Sequence, residues 1–333
     1  MLSDFTTYRF LREGNTNKYM KKNRLLILSR DSTQYDELIK RLDLTDLELI
    51  ACDSIEKAKK RVEHCNIILG EPTRIAPILK GAKRLQWVQS TFAGVEALLG
   101  PGKRTDYVLT GVKGVFGPLM SEYVFAYILA LERHIFEVYE NQKERAWKKI
   151  PYKSLQGKLI GICGLGSIGR HIAQTAKHFK MKVWGYKRSY EEVPEVDRVF
   201  TARDFTEFFS NPDYIVLTLP STPDTIHFFD YDAFRAMKRS AILISIGRGN
   251  VISESSLARA LEEKLIHGAV LDVFEEEPLP EASPLWALPN VLITPHNSGF
   301  SFPENVVKIF AENYRRFVEE KPLKHIVDFS RDY

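Results

Sequence analysis

Short runs of apolar, β-favouring residues alternate with stretches whose apolar positions recur every three or four residues, and the alternation spans nearly the whole chain from Arg24 onward. It predicts strands at 25–28, 47–51, 67–69, 85–89 and 107–110, separated by helices through 35–42, 55–62 and 75–79. A longer pattern, about 119–147, carries Val124, Ile128, Leu131, Ile135 and Val138 at near-helical spacing and reads as one crossover helix linking two domains. Its aromatics, Tyr123, Phe125, Tyr127 and Phe136, read as core and interface. Strands then follow at 158–163, 181–186, 214–219, 241–246, 269–274 and 291–294, with a helix from Ser167 towards Phe179. A last amphipathic helix, about 303–319, is expected to return to the first domain. Strands alternating with helices predict the α/β class: two doubly wound parallel sheets, one domain from 24–118 plus 300–333 and one from 119–299.

Between the first two strands of the second domain stands Gly164-Leu165-Gly166-Ser167-Ile168-Gly169. Strand, glycine turn and helix in this order suit a dinucleotide. Gly164 permits a tight turn, Gly166 lets backbone approach a pyrophosphate, and Gly169 lets the helix pack on the strand, while the helix N-terminus offers N–H groups to phosphate. The rule also asks for an acid roughly twenty residues on, to bind the ribose diol. At that strand end the chain reads Tyr186-Lys187-Arg188-Ser189, with no acid before Glu191. Two adjacent cations suit a 2′-phosphate, so NADP(H) is expected ahead of NAD(H), which stays possible; the alternative is a solvated basic turn.

Composition narrows the partners. The 333 residues carry 47 basic and 43 acidic side chains, a small excess spread along the sequence that fits small anionic ligands and gives no dedicated nucleic-acid surface. Cys52, Cys65 and Cys163 form no CxxC pair and no disulfide framework, which points to a reducing, cytoplasmic setting, with Cys163 a buried hydrophobe. No His/Cys/Asp/Glu cluster has metal-ligand spacing, and no apolar run approaches the roughly eighteen residues of a membrane span. Residues 1–23, rich in Arg and Lys but without an apolar core, read as a loose N-terminal extension.

Ligands of open α/β sheets bind at the carboxyl ends of strands, so chemistry is sought in the loops there. Arg248 follows Ile246, Glu277 follows Phe274 and His296 follows Thr294. A guanidinium can hold an α-keto carboxylate and polarise its carbonyl, a histidine can move the hydroxyl proton, and a carboxylate can stabilise the imidazolium. Singly each has a plainer reading: an ion pair, a solvated acidic run, a turn cap. His134, His171 and His178 lie on helices and are expected to be structural. In the first domain, Ser90-Thr91-Phe92-Ala93-Gly94-Val95 follows a strand; its backbone amides can cradle a carboxylate or form an ordinary loop.

The blocks GLGSIG (164–169), Ile246-Gly247-Arg248-Gly249, Leu271-Asp272-Val273-Phe274-Glu275-Glu276-Glu277-Pro278 and Leu292-Ile293-Thr294-Pro295-His296, in this order, resemble the signature of the D-isomer-specific 2-hydroxyacid dehydrogenases. The resemblance covers most of the chain after Arg24. It implies a Rossmann cofactor domain and a flavodoxin-like substrate-binding domain, the latter built from both chain ends. It further implies Arg248, Glu277 and His296 as the catalytic residues, and cofactor contacts from Ser167, Ile168, Leu219, Pro220, Ile246 and Gly247, with Asp272 near the nicotinamide amide. Phe92, Ala93 and Gly94 match the loop that grips the substrate carboxylate, and a homodimer through the cofactor domains is implied.

The chain departs from NAD-using members at Lys187 and Arg188. Among subgroups it most resembles the glyoxylate and hydroxypyruvate reductases, which makes a small 2-oxo acid the expected substrate. Alternatives are another D-2-hydroxy acid, phosphoglycerate included, or a nucleotide-sensing protein with little turnover. The C-terminal module of many phosphoglycerate dehydrogenases has no room here, and a formate dehydrogenase would replace Glu277 by glutamine.

Overall fold

In a computed structural model, which describes residues 22–329 apart from the Arg203 side chain, the central strands are buried along their whole length, not at alternate positions. Ile67–Gly70, Tyr214–Leu217 and Ile242–Ser245 have no exposed residue, as expected of parallel strands covered on both faces. In chain order the elements are β1 (Asn23–Leu28), α1 (Ser32–Lys40), β2 (Leu47–Cys52), α2 (Ile55–Lys59), β3 (Ile67–Gly70), α3 (Pro72–Ile75), β4 (Trp87–Ser90) and β5 (Val108–Thr110). Then come α4 (Phe116–Glu132), α5 (Ile135–Lys143), β6 (Leu159–Cys163), α6 (Ser167–His178), β7 (Lys182–Tyr186), β8 (Arg198–Phe200), α7 (Phe205–Ser210) and β9 (Tyr214–Leu217). The chain closes with α8 (Tyr231–Ala236), β10 (Ile242–Ser245), α9 (Glu254–Glu262), β11 (Gly268–Leu271), β12 (Val291–Ile293) and α10 (Pro303–Val318).

Two compact units result: the described residues up to Lys113 together with those from Ser301, and Gly114–Phe300. The first holds a parallel sheet in the order β2-β1-β3-β4-β5, the flavodoxin-like order. Within it Trp87 is fully buried, stacked on Phe310 of α10 at 5.2 Å and donating through its indole to Thr110 Oγ1 at 2.8 Å. The amphipathic α10 therefore belongs to this unit.

The second unit holds seven strands ordered β12-β11-β10-β9-β6-β7-β8, with every pair parallel. Counted from β6 this is the doubly wound order of dinucleotide-binding sheets, reversing direction between β6 and β9. Register aligns the strand ends: Tyr186, Cys163, Leu217, Ser245, Leu271 and Ile293 are successive neighbours. The loops that follow them therefore emerge side by side.

Two expectations need correction, and one element was not foreseen. The single helix over 119–147 is two, because His134 takes a left-handed conformation (φ 53°) and its N–H closes on Leu131 O at 3.1 Å. The first, α4, packs within the second unit: Ser121 Oγ bonds Thr175 Oγ1 at 2.7 Å and Phe125 stacks on Phe179. Ile135 and Val138, read as continuing the apolar spacing of that single helix, and Phe136, read as core or interface, stand exposed on α5. The unforeseen element is β8, a short edge strand. Residues 1–21 of the expected N-terminal extension lie outside the described residues, and Asn23 already opens β1.

Candidate active site

Each glycine of the 164–169 turn has a different physical reason. Gly164 has φ +103° and would press a Cβ onto Thr218 Oγ1 at 2.7 Å. Gly169 lies so close to the Gly164 carbonyl that no Cβ fits, which holds α6 against the turn. Gly166 is different: its φ is −76°, which any residue adopts, and a Cβ there would meet nothing within 4 Å. The space beside it is thus unclaimed by the chain itself. It opens at the N-terminus of α6, whose first turn, with Ser167 and Ile168, has no side-chain cap. A glycine that the protein's own packing does not require, facing uncapped helix amides, fits the approach of a pyrophosphate.

The neighbouring loops interlock. Thr218 Oγ1 donates to Gly164 O at 2.7 Å. Ile246 is buried with its N–H on Leu217 O at 3.1 Å, and Gly247 lies so near Leu219 that a Cβ would sit 2.7 Å from its carbonyl oxygen. Gly249 is tighter still: a Cβ there would lie 1.9 Å from the Phe274 carbonyl carbon and oxygen. Both glycines flanking Arg248 are therefore steric requirements, and they draw the ends of β9, β10 and β11 together. Pro220 closes this side, its carbonyl accepting from Thr225 Oγ1 at 2.6 Å.

At the other end of the row stand the three expected catalytic side chains. His296 Nδ1 is 2.6 Å from Glu277 Oε2, and Glu277 Oε1 accepts the Phe274 N–H at 3.0 Å. The carboxylate is thus fixed by the same residue that Gly249 packs against. Glu277 raises the His296 pKa above its ordinary value, overcoming partial burial. Burial pushes the Glu277 carboxyl up, but the His296 bond and the Phe274 amide outweigh it and hold the group below the usual range. Arg248, whose Nη1 donates to Gly247 O at 2.8 Å, is close enough for its charge to lower both pKa values.

His296 is held in a left-handed conformation, φ 51°, which a non-glycine residue keeps only when its surroundings enforce it. Asp272 supplies the enforcement. Its carbonyl accepts the His296 N–H at 2.9 Å; its carboxylate, fully buried, accepts Thr294 Oγ1 at 2.5 Å, Asn297 N–H at 2.8 Å and Ser298 N–H at 2.9 Å. A carboxylate can only accept, so Thr294 donates to it and Tyr123 of α4, 2.6 Å away, donates to Thr294. The family resemblance implies a place for Asp272 near a cofactor amide; the geometry shows it fastening the histidine loop. Gly249 and Thr294 fall inside the signature blocks without their packing roles being legible there, and Tyr123 and Asn297 lie outside those blocks.

The basic pair behaves otherwise. Lys187 forms an ion pair with Glu191, and Arg188, 85% exposed, sits 3.2 Å from Asp224. Glu191 also takes Arg170 Nη2 at 2.8 Å. Phe92, Ala93 and Gly94 stand in the first unit after β4. There Ser90 Oγ accepts the Phe92 N–H at 3.0 Å, so of the expected cradle the Phe92 amide is already engaged within the turn. Among the described residues no His, Cys, Asp and Glu side chains gather into a metal site, and no helix is long and apolar enough to cross a membrane.

Residues 125–298 match the family model for the NAD-binding domain of D-isomer specific 2-hydroxyacid dehydrogenases. The glyoxylate reductase of Pyrococcus horikoshii is 36% identical over 229 residues, 65% of this chain and 67% of that protein. A D-isomer specific 2-hydroxyacid dehydrogenase family protein from Aeromonas salmonicida is 46% identical, with a TM-score of 0.90 over 92% of this chain and 99% of its own. The NADPH-dependent glyoxylate/hydroxypyruvate reductase of Sinorhizobium meliloti, solved with NADP and sulfate, is 26% identical, with a TM-score of 0.83 over 94% of this chain and 100% of its own. Sheet order, interlocked strand-end loops and these similarities agree: the chain belongs to the D-isomer specific 2-hydroxyacid dehydrogenases, a family of oxidoreductases.

Proposed function

We propose that the protein is an NADP(H)-dependent reductase of small 2-oxo acids, with glyoxylate and hydroxypyruvate as substrates. The observation that carries the reading is the 2.6 Å pairing of His296 Nδ1 with Glu277, beside Arg248, at the ends of adjacent strands. Since Nδ1 is taken by the carboxylate, Nε2 is the nitrogen left to serve the substrate. In the reducing direction the protonated imidazole gives its Nε2 proton to the carbonyl oxygen, and Glu277 keeps the remaining proton on Nδ1. Arg248 binds the carboxylate of the acid and polarises the neighbouring carbonyl. The nicotinamide, when bound, supplies the hydride that reaches the carbonyl carbon, and the 2-oxo acid leaves as the 2-hydroxy acid.

Gly164, Gly166, Ser167, Ile168 and Gly169 would hold the pyrophosphate, and Leu219, Pro220, Ile246, Gly247 and Asp272 would line the remainder of the dinucleotide. Lys187 and Arg188 would face the 2′-phosphate; the basic strand end and the NADP in the Sinorhizobium meliloti relative support this preference. In the first unit, the Phe92–Gly94 turn would bind a carboxylate through its remaining amides. Exposed Ile135, Phe136, Val138 and Tyr139 on α5 support a homodimer formed through the second unit, and three unpaired cysteines suit the cytoplasm.

Purified protein supplied with NADPH and hydroxypyruvate should consume both and release D-glycerate, whereas phosphohydroxypyruvate and bulky aromatic 2-oxo acids should react more slowly. Chiral analysis of the product, run beside that substrate panel, is the test. L-glycerate, or a clear preference for the phosphorylated acid, contradicts the reading.

A further inference from the structure

The loop after β7 is fastened to the outer face of α6 by three polar rungs. Arg170 bonds Glu191 at 2.8 Å, Gln174 bonds Glu195 at 3.0 Å, and Lys177 pairs with Asp197. Positions 170, 174 and 177 lie on one side of a helix, and Asp197 is further tied to the β7 backbone by Val183 N–H at 2.7 Å. The loop is thus held by its lower two rungs whether or not the first is closed. The first rung bonds a second cation: Glu191 Oε1 faces Arg170 and Oε2 faces Lys187, while Arg170 Nε also donates to Leu165 O at 3.3 Å inside the glycine turn.

Two cations from different elements therefore converge on one carboxylate beside the strand end where an adenosine ribose is expected. A carboxylate between Lys and Arg occupies what a phosphate would take, and it lies roughly the twenty residues after the glycines at which NAD-binding chains keep their diol-binding acid. We infer that Glu191 sets the cofactor selectivity of this site, as an internal counter-ion that must yield to a 2′-phosphate, and that Arg170 is a phosphate ligand alongside Lys187. Glu191 keeps the two cations ordered and neutralises one of them when the 2′ position is a hydroxyl. On entry of a 2′-phosphate it swings out, and the phosphate takes both cations. The energy of breaking the rung is subtracted from phosphate binding, so the wild-type preference for a 2′-phosphate is smaller than two cations alone would give.

This inference rests on the NADP(H) reading above, and a calorimetric titration separates the two. The probes are adenosine 2′,5′-bisphosphate and 5′-AMP, with wild type, Glu191→Gln, Arg170→Gln and Lys187→Gln. Because the rung is solvent-exposed, Glu191→Gln is expected to tighten the bisphosphate by roughly threefold to fivefold at low salt, with 5′-AMP unmoved. Arg170→Gln and Lys187→Gln should each weaken the bisphosphate only. A Glu191→Gln protein that binds the bisphosphate no better than wild type overturns the counter-ion role. An Arg170→Gln protein that binds it undiminished overturns the ligand role. Wild type that binds 5′-AMP as tightly as the bisphosphate overturns the NADP(H) reading itself, whatever the variants do.

Discussion

The two ends of one row of strand tips are built on different physics. At the β10–β11–β12 end, glycines press loop against loop and a fully buried Asp272 ties down the histidine segment through three hydrogen bonds to its carboxylate. At the β7 end, Lys187, Arg188 and Arg170 are matched with acids across solvent-exposed ion pairs. Buried, satisfied polar networks hold one geometry and are costly to disturb. Exposed pairs are screened and cheap to exchange. Reaction chemistry needs atoms held to fractions of an ångström, whereas selecting a phosphate needs mainly a field of the right sign, and under the proposed function the two ends would divide these tasks accordingly.

That contrast breaks first, and most, at His296. Replacing it with alanine is expected to lower kcat by about 10²–10⁴-fold, the usual contribution of a positioned acid–base group, while NADPH still quenches or enhances protein fluorescence with wild-type affinity. Loss of cofactor binding together with turnover would mean that the histidine loop and the cofactor site are not separable.

Gly249→Ala should come next. A Cβ there overlaps the Phe274 carbonyl, so the β10 and β11 loops must part at a cost of about 1–3 kcal/mol or more. Thermal unfolding and kcat should both suffer although no reacting group has been touched. Unchanged melting and turnover would show that the loops are not locked as described.

A subtler probe is Glu277→Gln, which removes the charge that raises the His296 pKa. A paired carboxylate favours the imidazolium, so its neutral isostere lets the proton leave at lower pH. The reductive rate, which needs His296 protonated, should therefore fall away at a lower pH than in wild type. A pH–rate profile that does not move would release Glu277 from this role.

How much of this was legible beforehand follows the same division. Strands buried on both faces announce themselves as apolar runs, so the core strands and the loops behind them, with Arg248, Glu277 and His296, were readable. The glycine motif was readable too, although only coordinates separate Gly166, with open space before it, from Gly164 and Gly169, which packing demands. β8 was missed because Arg198–Phe200 is three residues at a sheet edge, too short for periodicity to show. The break at His134 was missed because it depends on one left-handed histidine with no glycine or proline to mark it. The Tyr123–Thr294–Asp272 chain joins residues 171 and 22 positions apart in sequence, and no local pattern records a contact of that kind.

The separation of rigid chemistry from screened selectivity is tested most directly by salt. Steady-state reduction of hydroxypyruvate by NADPH, followed at roughly 0.05 and 0.3 M ionic strength where screening lengths differ more than twofold, should show KM for NADPH rising with salt, kcat holding nearly constant, and KM for NADH responding less. A kcat that falls with salt while the NADPH KM stays put would contradict the account.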